Sequence, residues 1–235
     1  MSQPFFTICV PIWGAKGEGT EYLNSNLTSI KNQSFTDFEV VISDHSIDDS
    51  LQKIVESWEP ILNIKYIRYD KGRGLISPNI NNALKHASGK YIKILYQDDI
   101  FYNENSLDDI AKHLIENPEI NWLVTGCVDT PDLIDVANIV NPVYHHNIHL
   151  GTNTIGCPSV LTLKNDEDKI YLDETLRFLD DVEYYKRLYD RYGLPSILPI
   201  IGCAIRIGGV SATSLLNNEI RKKEYDLMME KYGMV

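Results

Sequence analysis

The sequence predicts an α/β fold with a mostly parallel central sheet and helices on both faces. Two observations carry that prediction. Strand-like runs such as Phe38–Ser43 are apolar almost from end to end, and single helices with one apolar stripe separate them through the first half of the chain. A strand without polar alternation is buried on both faces, and one-helix crossovers join parallel neighbours. The 235 residues are 43% hydrophobic and 23% charged, which suits one cored domain and is too apolar for a disordered chain.

The first strand is Phe5–Ile12, a β-branched run closed by a loop that holds Gly14, Gly17 and Gly19. Tyr22–Ile30 follows as a helix, with Leu23, Leu27 and Ile30 on one side. Phe38–Ser43 is the second strand, and Leu51–Trp58 the second helix, striped by Leu51, Ile54, Val55 and Trp58. Asn63–Tyr69 is the third strand. Asn79–Ala87 is the third helix, with Ile80, Ala83, Leu84 and Ala87 inward. Lys90–Leu95, Ser106–Glu116 and Trp122–Cys127 complete the alternation as strand, helix and strand.

Past Asp129 the rhythm breaks, with Pro131, Pro142, Pro158, Pro195 and Pro199 between shorter segments. A strand at Ser159–Leu163, a helix from Asp180 to Tyr192 stopped by Gly193, and a last helix over Asn217–Tyr232 are expected there. The reading is a single domain over 1–235, with a nucleotide-type α/β half (1–128) and a more irregular half that ends in the C-terminal helix (129–235). That last helix packs either on the core or on a second subunit, which would make a homo-oligomer.

Composition removes several classes of partner. With 22 Lys and Arg against 33 Asp and Glu the formal charge is −11, the wrong sign for nucleic acid or an anionic lipid surface. No apolar run approaches the ~18 residues of an integral membrane segment, and no basic segment precedes an apolar one at the N-terminus. Cys9, Cys127, Cys157 and Cys203 lie far apart and read as reduced thiols of a cytoplasmic protein.

Open parallel sheets bind ligands beyond the carboxyl ends of their strands. Strand two runs into Asp44-His45-Ser46-Ile47-Asp48-Asp49, and strand four into Tyr96-Gln97-Asp98-Asp99. Two carboxylates at a bend suit a divalent ion that bridges protein and phosphates, although aspartate is also common in plain turns and caps. Asp48 or Asp49 is better placed than Asp44 to cap the second helix, which leaves Asp44 to accept from a base edge. Asp180 and Asp181 open a helix, where one can cap it and the other can act as a general base. Gly14-Ala-Lys-Gly17-Glu-Gly19 reverses the dinucleotide fingerprint and reads as a loop near the ligand. Lys71-Gly72-Arg73-Gly74 lacks Walker spacing but can bring a cation to an anionic ligand. His145, His146 and His149 read as surface histidines before metal ligands, and Trp122, Tyr144 and the tyrosines near Asp181 as core before sugar-stacking faces.

Taken together these segments resemble the inverting family-2 glycosyltransferases, which have the GT-A fold of the nucleotide-diphospho-sugar transferases. The likeness runs over nearly the whole chain. Thr7–Ile12 resembles the opening strand, and Asn32-Gln33-Ser34-Phe35 with Phe38–Asp44 resembles the segment leading to a uracil-contacting aspartate. Gly74, Asn79, Asn82, Ala83, Leu84, Ala87, Gly89, Lys90 and Tyr91 match the stretch before the metal motif, Gln97-Asp98-Asp99 the motif itself, and Phe178-Leu179-Asp180-Asp181 the segment of the catalytic base. Gly156-Cys157-Pro158-Ser159 resembles an acceptor-side loop.

The resemblance implies a metal-dependent transfer of a sugar from a UDP-sugar donor to a hydroxyl of a glycan or lipid-linked acceptor, in bacterial surface polysaccharide synthesis, with such an acceptor met peripherally at the inner face of the membrane. It implies Asp181 as the base, Asp99 as the ligand of Mn²⁺ or Mg²⁺, and Pro11, Asp44, Arg73 and Asp98 at the nucleotide, Asp44 on uracil and Asp98 on ribose. Cys157, Pro158, Asp180 and Arg206 fall at the donor sugar and acceptor, and by the same resemblance 1–128 is the nucleotide-binding half and 129–235 the acceptor-binding half. Three departures stand out: Tyr96 replaces the first acid of the metal motif, Asp180 replaces a glutamate, and Arg206-Ile207-Gly208 lacks a histidine that helps hold the diphosphate. The alternatives are a catalytically degenerate nucleotide-sugar-binding domain and a sugar-phosphate nucleotidyltransferase, the latter poorly served by Lys16 as the lone cation after strand one.

Overall fold

The structure, a computed structural model, describes residues 3–14, 19–208 and 217–233. β1 (Phe6–Ile12), β2 (Phe38–Asp44), β3 (Ile64–Arg68) and β4 (Tyr91–Ile94) pair in parallel in the order β3-β2-β1-β4. Every residue of β1 and of β4 is buried, the reason these strands show no polar alternation. The crossovers are α1 (Gly19–Lys31), α2 (Ser50–Trp58) and α3 (Ile76–Lys85). α1 buries Leu23, Leu27 and Ile30, the predicted stripe, but starts at Gly19 rather than Tyr22, so Gly19 belongs to the helix and not to the loop before it. Lys16 and Gly17 lie outside the described residues. The link from α3 to β4 passes so close under β1 that a Cβ on Gly89 would stand 2.5 Å from backbone atoms of Phe6 and Thr7, and only glycine fits.

The second half continues the same sheet. It contains β5 (Ile100–Phe101), α4 (Ser106–Glu116), β6 (Trp122–Thr130), β7 (Asn138–Val140), β8 (Leu161–Lys164), α5 (Asp180–Tyr192), β9 (Ser196–Arg206) and α6 (Asn218–Tyr232). The sheet order runs β3-β2-β1-β4-β8-β6-β9-β5, with β7 on β6. β8 is antiparallel to both its neighbours, β5 to β9 and β7 to β6, while β6 and β9 are parallel. Among the described residues, therefore, β5, β7 and β8 run against the direction of all the other strands, and the sheet is mostly parallel as expected.

The differences from expectation lie here. β5, β7 and β9 are additional strands, and β6 runs on to Thr130, through the 128/129 boundary between the two halves. β9 carries Pro199 and Gly202, which break a sequence-level strand pattern; a register shift opposite Gly126 absorbs the irregularity. The strand expected over Ser159–Leu163 divides into one 3₁₀ turn, Pro158–Val160, and β8. α6 takes the first of its two expected placements, burying Met228 and Glu224 against its own chain.

One consequence governs the site. β1, β2, β4 and β9 all point the same way, so Ile12, Asp44, the segment Tyr96–Asp99 and Arg206 come out at one edge of the sheet.

Candidate active site

Beyond β4 the chain bends at once. The Asp99 amide donates to the Tyr96 carbonyl (3.0 Å), and Asn26 of α1 donates through Nδ2 to the carbonyls of Tyr96 (2.9 Å) and Asp99 (2.8 Å). Gln97 ties this bend to the β1–α1 connection, accepting from the Trp13 amide (2.7 Å) and donating to the Gly19 carbonyl (2.8 Å).

Asp99 is 2% exposed, and both its oxygens are committed. Oδ2 accepts from Ser159 Oγ (2.5 Å) and Cys157 Sγ (3.4 Å), and Oδ1 from the Arg206 amide (3.1 Å). Beneath it lies a fully buried lysine, Lys93, whose Nζ donates to the Ser159 carbonyl and whose pKa burial lowers. Burial first, and the charge of Asp98 second, push the Asp99 carboxyl up to about 8. Asp98 is half-buried and stands outside this network; burial raises its pKa too. Asp99 thus anchors the bend, while Asp98, the more exposed of the two, stays out of the contacts with Ser159, Cys157 and Arg206.

Asp44 closes β2 with no exposure. Its Oδ1 accepts from the Ser46 amide (2.6 Å) and its Oδ2 from the Tyr66 hydroxyl (2.7 Å), with Arg68 Nε 3.7 Å away. Asp48, not Asp44, serves α2, accepting from the Ser50 amide (2.9 Å). His45 is 1% exposed and stacks on Tyr69 at 5.5 Å; burial and then the Arg73 charge lower its pKa, so Arg73 stands beside the end of β2. Arg73 itself is exposed in a turn where Gly72 and Gly74 take φ of 66° and 83°, conformations suited to glycine. Pro11 is buried in β1, paired in register with Ser43.

At the start of α5 the two aspartates do different things. Asp180 is 7% exposed and accepts from the Ser77 hydroxyl of α3 (2.6 Å). Asp181 is half-buried, with Oδ2 accepting from Asn153 Nδ2 (2.7 Å) and Oδ1 from the Val182 amide (2.7 Å). Burial and then the neighbouring Asp180 push the Asp181 carboxyl up to about 7.

These groups share one cluster. Asn153 also donates to the Gly156 carbonyl (2.9 Å), Tyr185 of α5 donates to the same carbonyl (3.0 Å), and the next residue, Cys157, reaches Asp99. Segment 153–157 therefore joins the base candidate to the β4 bend. The Tyr96 phenol is held neutral by burial first and then by the acidic groups around it, Asp180, Cys157, Asp181 and Asp99. On the other side, Ser77 reaches Asp180 while Asn79 and Asn82 of the same helix donate to the Ile12 carbonyl (3.0 Å) and Ser43 Oγ (2.8 Å). Arg206 lies 4.4 Å over the Tyr22 ring, near Asp98, and its buried Nε has no partner. An unpaired buried guanidinium nitrogen beside this edge suits an anionic ligand.

Several other candidates go elsewhere. Pro158 is buried at the first position of its 3₁₀ turn. His145 and His146 are exposed, as expected, with His146 edge-on to Tyr144 and Tyr189, whereas His149 is fully buried, its Nε2 bonded with the Gly233 carbonyl (2.9 Å), and is not a surface histidine. Trp122 stacks on Tyr185 and Tyr144 on Tyr189 as core aromatics, as expected. Asn153, Ser77 and Asn26 are site residues without a local sequence signal, because each matters only through a partner distant in the chain.

Among the described residues no three His, Cys, Asp or Glu side chains form a ready metal cage. A divalent ion that keeps waters and binds through one or two carboxylates plus substrate phosphates needs no such cage. The half-buried Asp98 carboxylate at a fixed bend fits that mode of binding.

The family profile described as Glycosyl transferase family 2 matches residues 7–139. The poly(ribitol-phosphate) beta-N-acetylglucosaminyltransferase TarS of Staphylococcus aureus is 32% identical over 114 residues, 48% of this chain and 19% of the relative. The GalNAc(5)-diNAcBac-PP-undecaprenol beta-1,3-glucosyltransferase of Campylobacter jejuni is 32% identical over 98 residues, 41% of this chain and 30% of that one. The chain thus matches less than a third of the length of either relative. Among solved structures, S. aureus TarS 1-349 in complex with UDP-GlcNAc superposes with a TM-score of 0.76 at 22% identity, covering 96% of this chain and 66% of that one. The mannosyltransferase PcManGT of Pyrobaculum calidifontis, in complex with GDP-Man and Mn²⁺, gives 0.64 at 17% identity, covering 88% and 58%. At these identities the structural likeness speaks for the fold.

Proposed function

The chain belongs to glycosyl transferase family 2 and has the GT-A fold, and from that premise we propose that it transfers a sugar from a UDP-sugar to a hydroxyl of a surface glycan or its lipid-linked precursor, with inversion at the anomeric carbon. One observation carries the reading: Asp181 sits beside Asp180 with its Oδ2 held by Asn153, and burial, then the Asp180 charge, push its carboxyl up to about 7. A general base works best when its pKa lies near the working pH.

In the step we propose, the acceptor oxygen forms a bond to the anomeric carbon as the bond from that carbon to the diphosphate oxygen breaks. The bonding pair leaves with UDP, and the acceptor proton passes to Asp181. Burial first, and then Asp180, held by Ser77, keep the Asp181 pKa high. The family resemblance puts Asp44 at the uracil edge, where, with Oδ1 and Oδ2 already holding the Ser46 amide and the Tyr66 hydroxyl, it shapes that end of the site, while Arg73 and Arg206 face the anionic part of the donor. Asp98 is the residue we place on the divalent ion, in preference to Asp99, whose oxygens already serve Ser159, Cys157 and Arg206. When bound, Mn²⁺ or Mg²⁺ supplies a Lewis acid for the charge developing on the diphosphate.

Calorimetry with UDP in the presence and absence of Mn²⁺, joined to a donor-hydrolysis assay over a panel of UDP-sugars, tests this reading. Metal-dependent UDP binding with turnover of one donor supports it. Binding without turnover of any donor supports the degenerate nucleotide-sugar-binding domain, a reading that Tyr96 in the metal motif favours.

A further inference from the structure

The start of α5 has no cap of its own. Leu179 is the N-cap position, and its side chain makes no cap bond. The segment that leads into it is held instead by the C-terminal helix. Glu224 of α6, 6% exposed, accepts from three successive backbone amides: Oε1 from Arg177 (2.9 Å), and Oε2 from Phe178 (2.9 Å) and Leu179 (3.0 Å). The same helix holds this segment again through Arg221, whose guanidinium lies 4.5 Å over the Phe178 ring. One turn into α5, Glu183 is fully buried and accepts from Lys231 Nζ (2.8 Å) and the Tyr232 hydroxyl (2.7 Å) at the far end of α6. α6 therefore brackets Asp180 and Asp181 from both sides in sequence.

The physical consequence is positional. A carboxylate that takes three amide hydrogens makes charge-assisted bonds, stronger than neutral ones, and the amides it takes are those that immediately precede the two aspartates. Among the described residues no hydrogen bond joins Glu224 to Asp181, so Glu224 acts on it through backbone placement and through its charge beside Asp180.

We propose that Glu224 is a positioning residue: by gripping the 177–179 backbone from the C-terminal helix, it sets the depth and angle at which Asp181 meets the acceptor hydroxyl. The proposal rests on reading Asp181 as the base. Groups facing the Asp180–Asp181 pair are Ser77 from α3, Asn153 from the loop before β8, Tyr96 from the β4 bend and Glu224 from α6. Burial and mutual repulsion hold the Asp181 pKa up only while this geometry is kept. Loosening the segment admits water and separates the pair, and removing the Glu224 charge acts in the same direction.

The experiment compares wild type with Glu224→Gln, whose amide NH₂ opposes backbone donors, and with Glu224→Asp, which keeps the charge but is too short to reach all three amides. Carbon-13 NMR titration of the aspartate carboxyls is read alongside UDP affinity, thermal midpoint and the kinetics of transfer or donor hydrolysis. The expected result for Glu224→Gln is a downward move of the Asp181 midpoint from about 7, unchanged UDP affinity, and kcat reduced about 10- to 100-fold, the usual scale for a misplaced reacting group. Glu224→Asp should show the same changes at smaller size, and it decides the matter if the glutamine variant does not fold. A folded variant of either kind with the wild-type Asp181 midpoint overturns the proposal, as does an equal loss of UDP affinity and kcat. If wild type turns over no donor, the transferase reading fails, while the titration still decides whether Glu224 places Asp181.

Discussion

The Ser77 hydroxyl donates to Asp180 at 2.6 Å, joining residues 103 positions apart. That bond brings the start of α3 onto the start of α5. The helix that bonds to Ile12 and Ser43 at the ends of β1 and β2 thus also fixes the carboxylate next to Asp181. The neighbour's charge, after burial, is what moves Asp181 away from ordinary carboxylate behaviour.

The first prediction concerns pH. Asp181 accepts a proton only when ionised, and burial and Asp180 have raised its pKa to about 7. Transfer should therefore be weak at pH 5, rise through about 7 and level off above it. A pH profile of kcat/KM checks this; a profile already flat from pH 5 upward contradicts it.

The second concerns stability. The native pKa of about 7 lies above the ordinary 3.8, so between these values the folded protein holds a proton that the unfolded chain has lost. Stability falls as pH rises across that window, and the penalty is complete above it. Asp181→Asn removes the charge, so its thermal midpoint should gain on wild type from pH 5 to pH 8, at about 2–4 °C per kcal/mol for a chain of this size. Scanning calorimetry at both pH values measures the difference; a gap that does not widen contradicts the assignment.

The third separates two adjacent acids. Asp99→Asn sets an amide NH₂ against donors from Ser159, Cys157 or Arg206 and should destabilise the fold by about 1–3 kcal/mol. Asp98→Asn should leave the thermal midpoint near wild type and weaken Mn²⁺-dependent UDP binding. Calorimetry and thermal unfolding of both variants decide it. Normal metal-dependent binding in Asp98→Asn, with loss in a well-folded Asp99→Asn, returns the ion to Asp99.

The fourth concerns Arg206, whose buried Nε lacks a partner beside Asp98. Arg206→Ala should weaken UDP by about 10- to 100-fold, the scale of hydrogen bonds to a charged group, and leave uridine affinity nearly unchanged. Equal losses for uridine and UDP would place Arg206 away from the diphosphate.

The parts of this molecule that can be read in the sequence are those whose local pattern agrees with their environment. β1, β2 and β4 are buried on both faces and therefore apolar throughout, and Asp44, Asp98 and Asp181 stand out because they interrupt such runs or open a helix. β9 escapes notice because Pro199 and Gly202 break its pattern, and only pairing with β6 and β5 makes it a strand. β5 and β7 are too short to show a period. The contacts that hold Asp99 and leave Asp98 out depend on Ser159, 60 positions away, and the grip of Glu224 on 177–179 spans 45 to 47 positions. No local spacing encodes such contacts.

The most direct test of the account is UDP release from a panel of UDP-sugars, with Mn²⁺ present, by wild type and by Asp181→Asn. The account predicts that wild type releases UDP from one of them, and that the variant binds UDP as tightly but releases it about 10²- to 10⁴-fold more slowly, the usual share of a general base. Equal rates of release from the two proteins would contradict it.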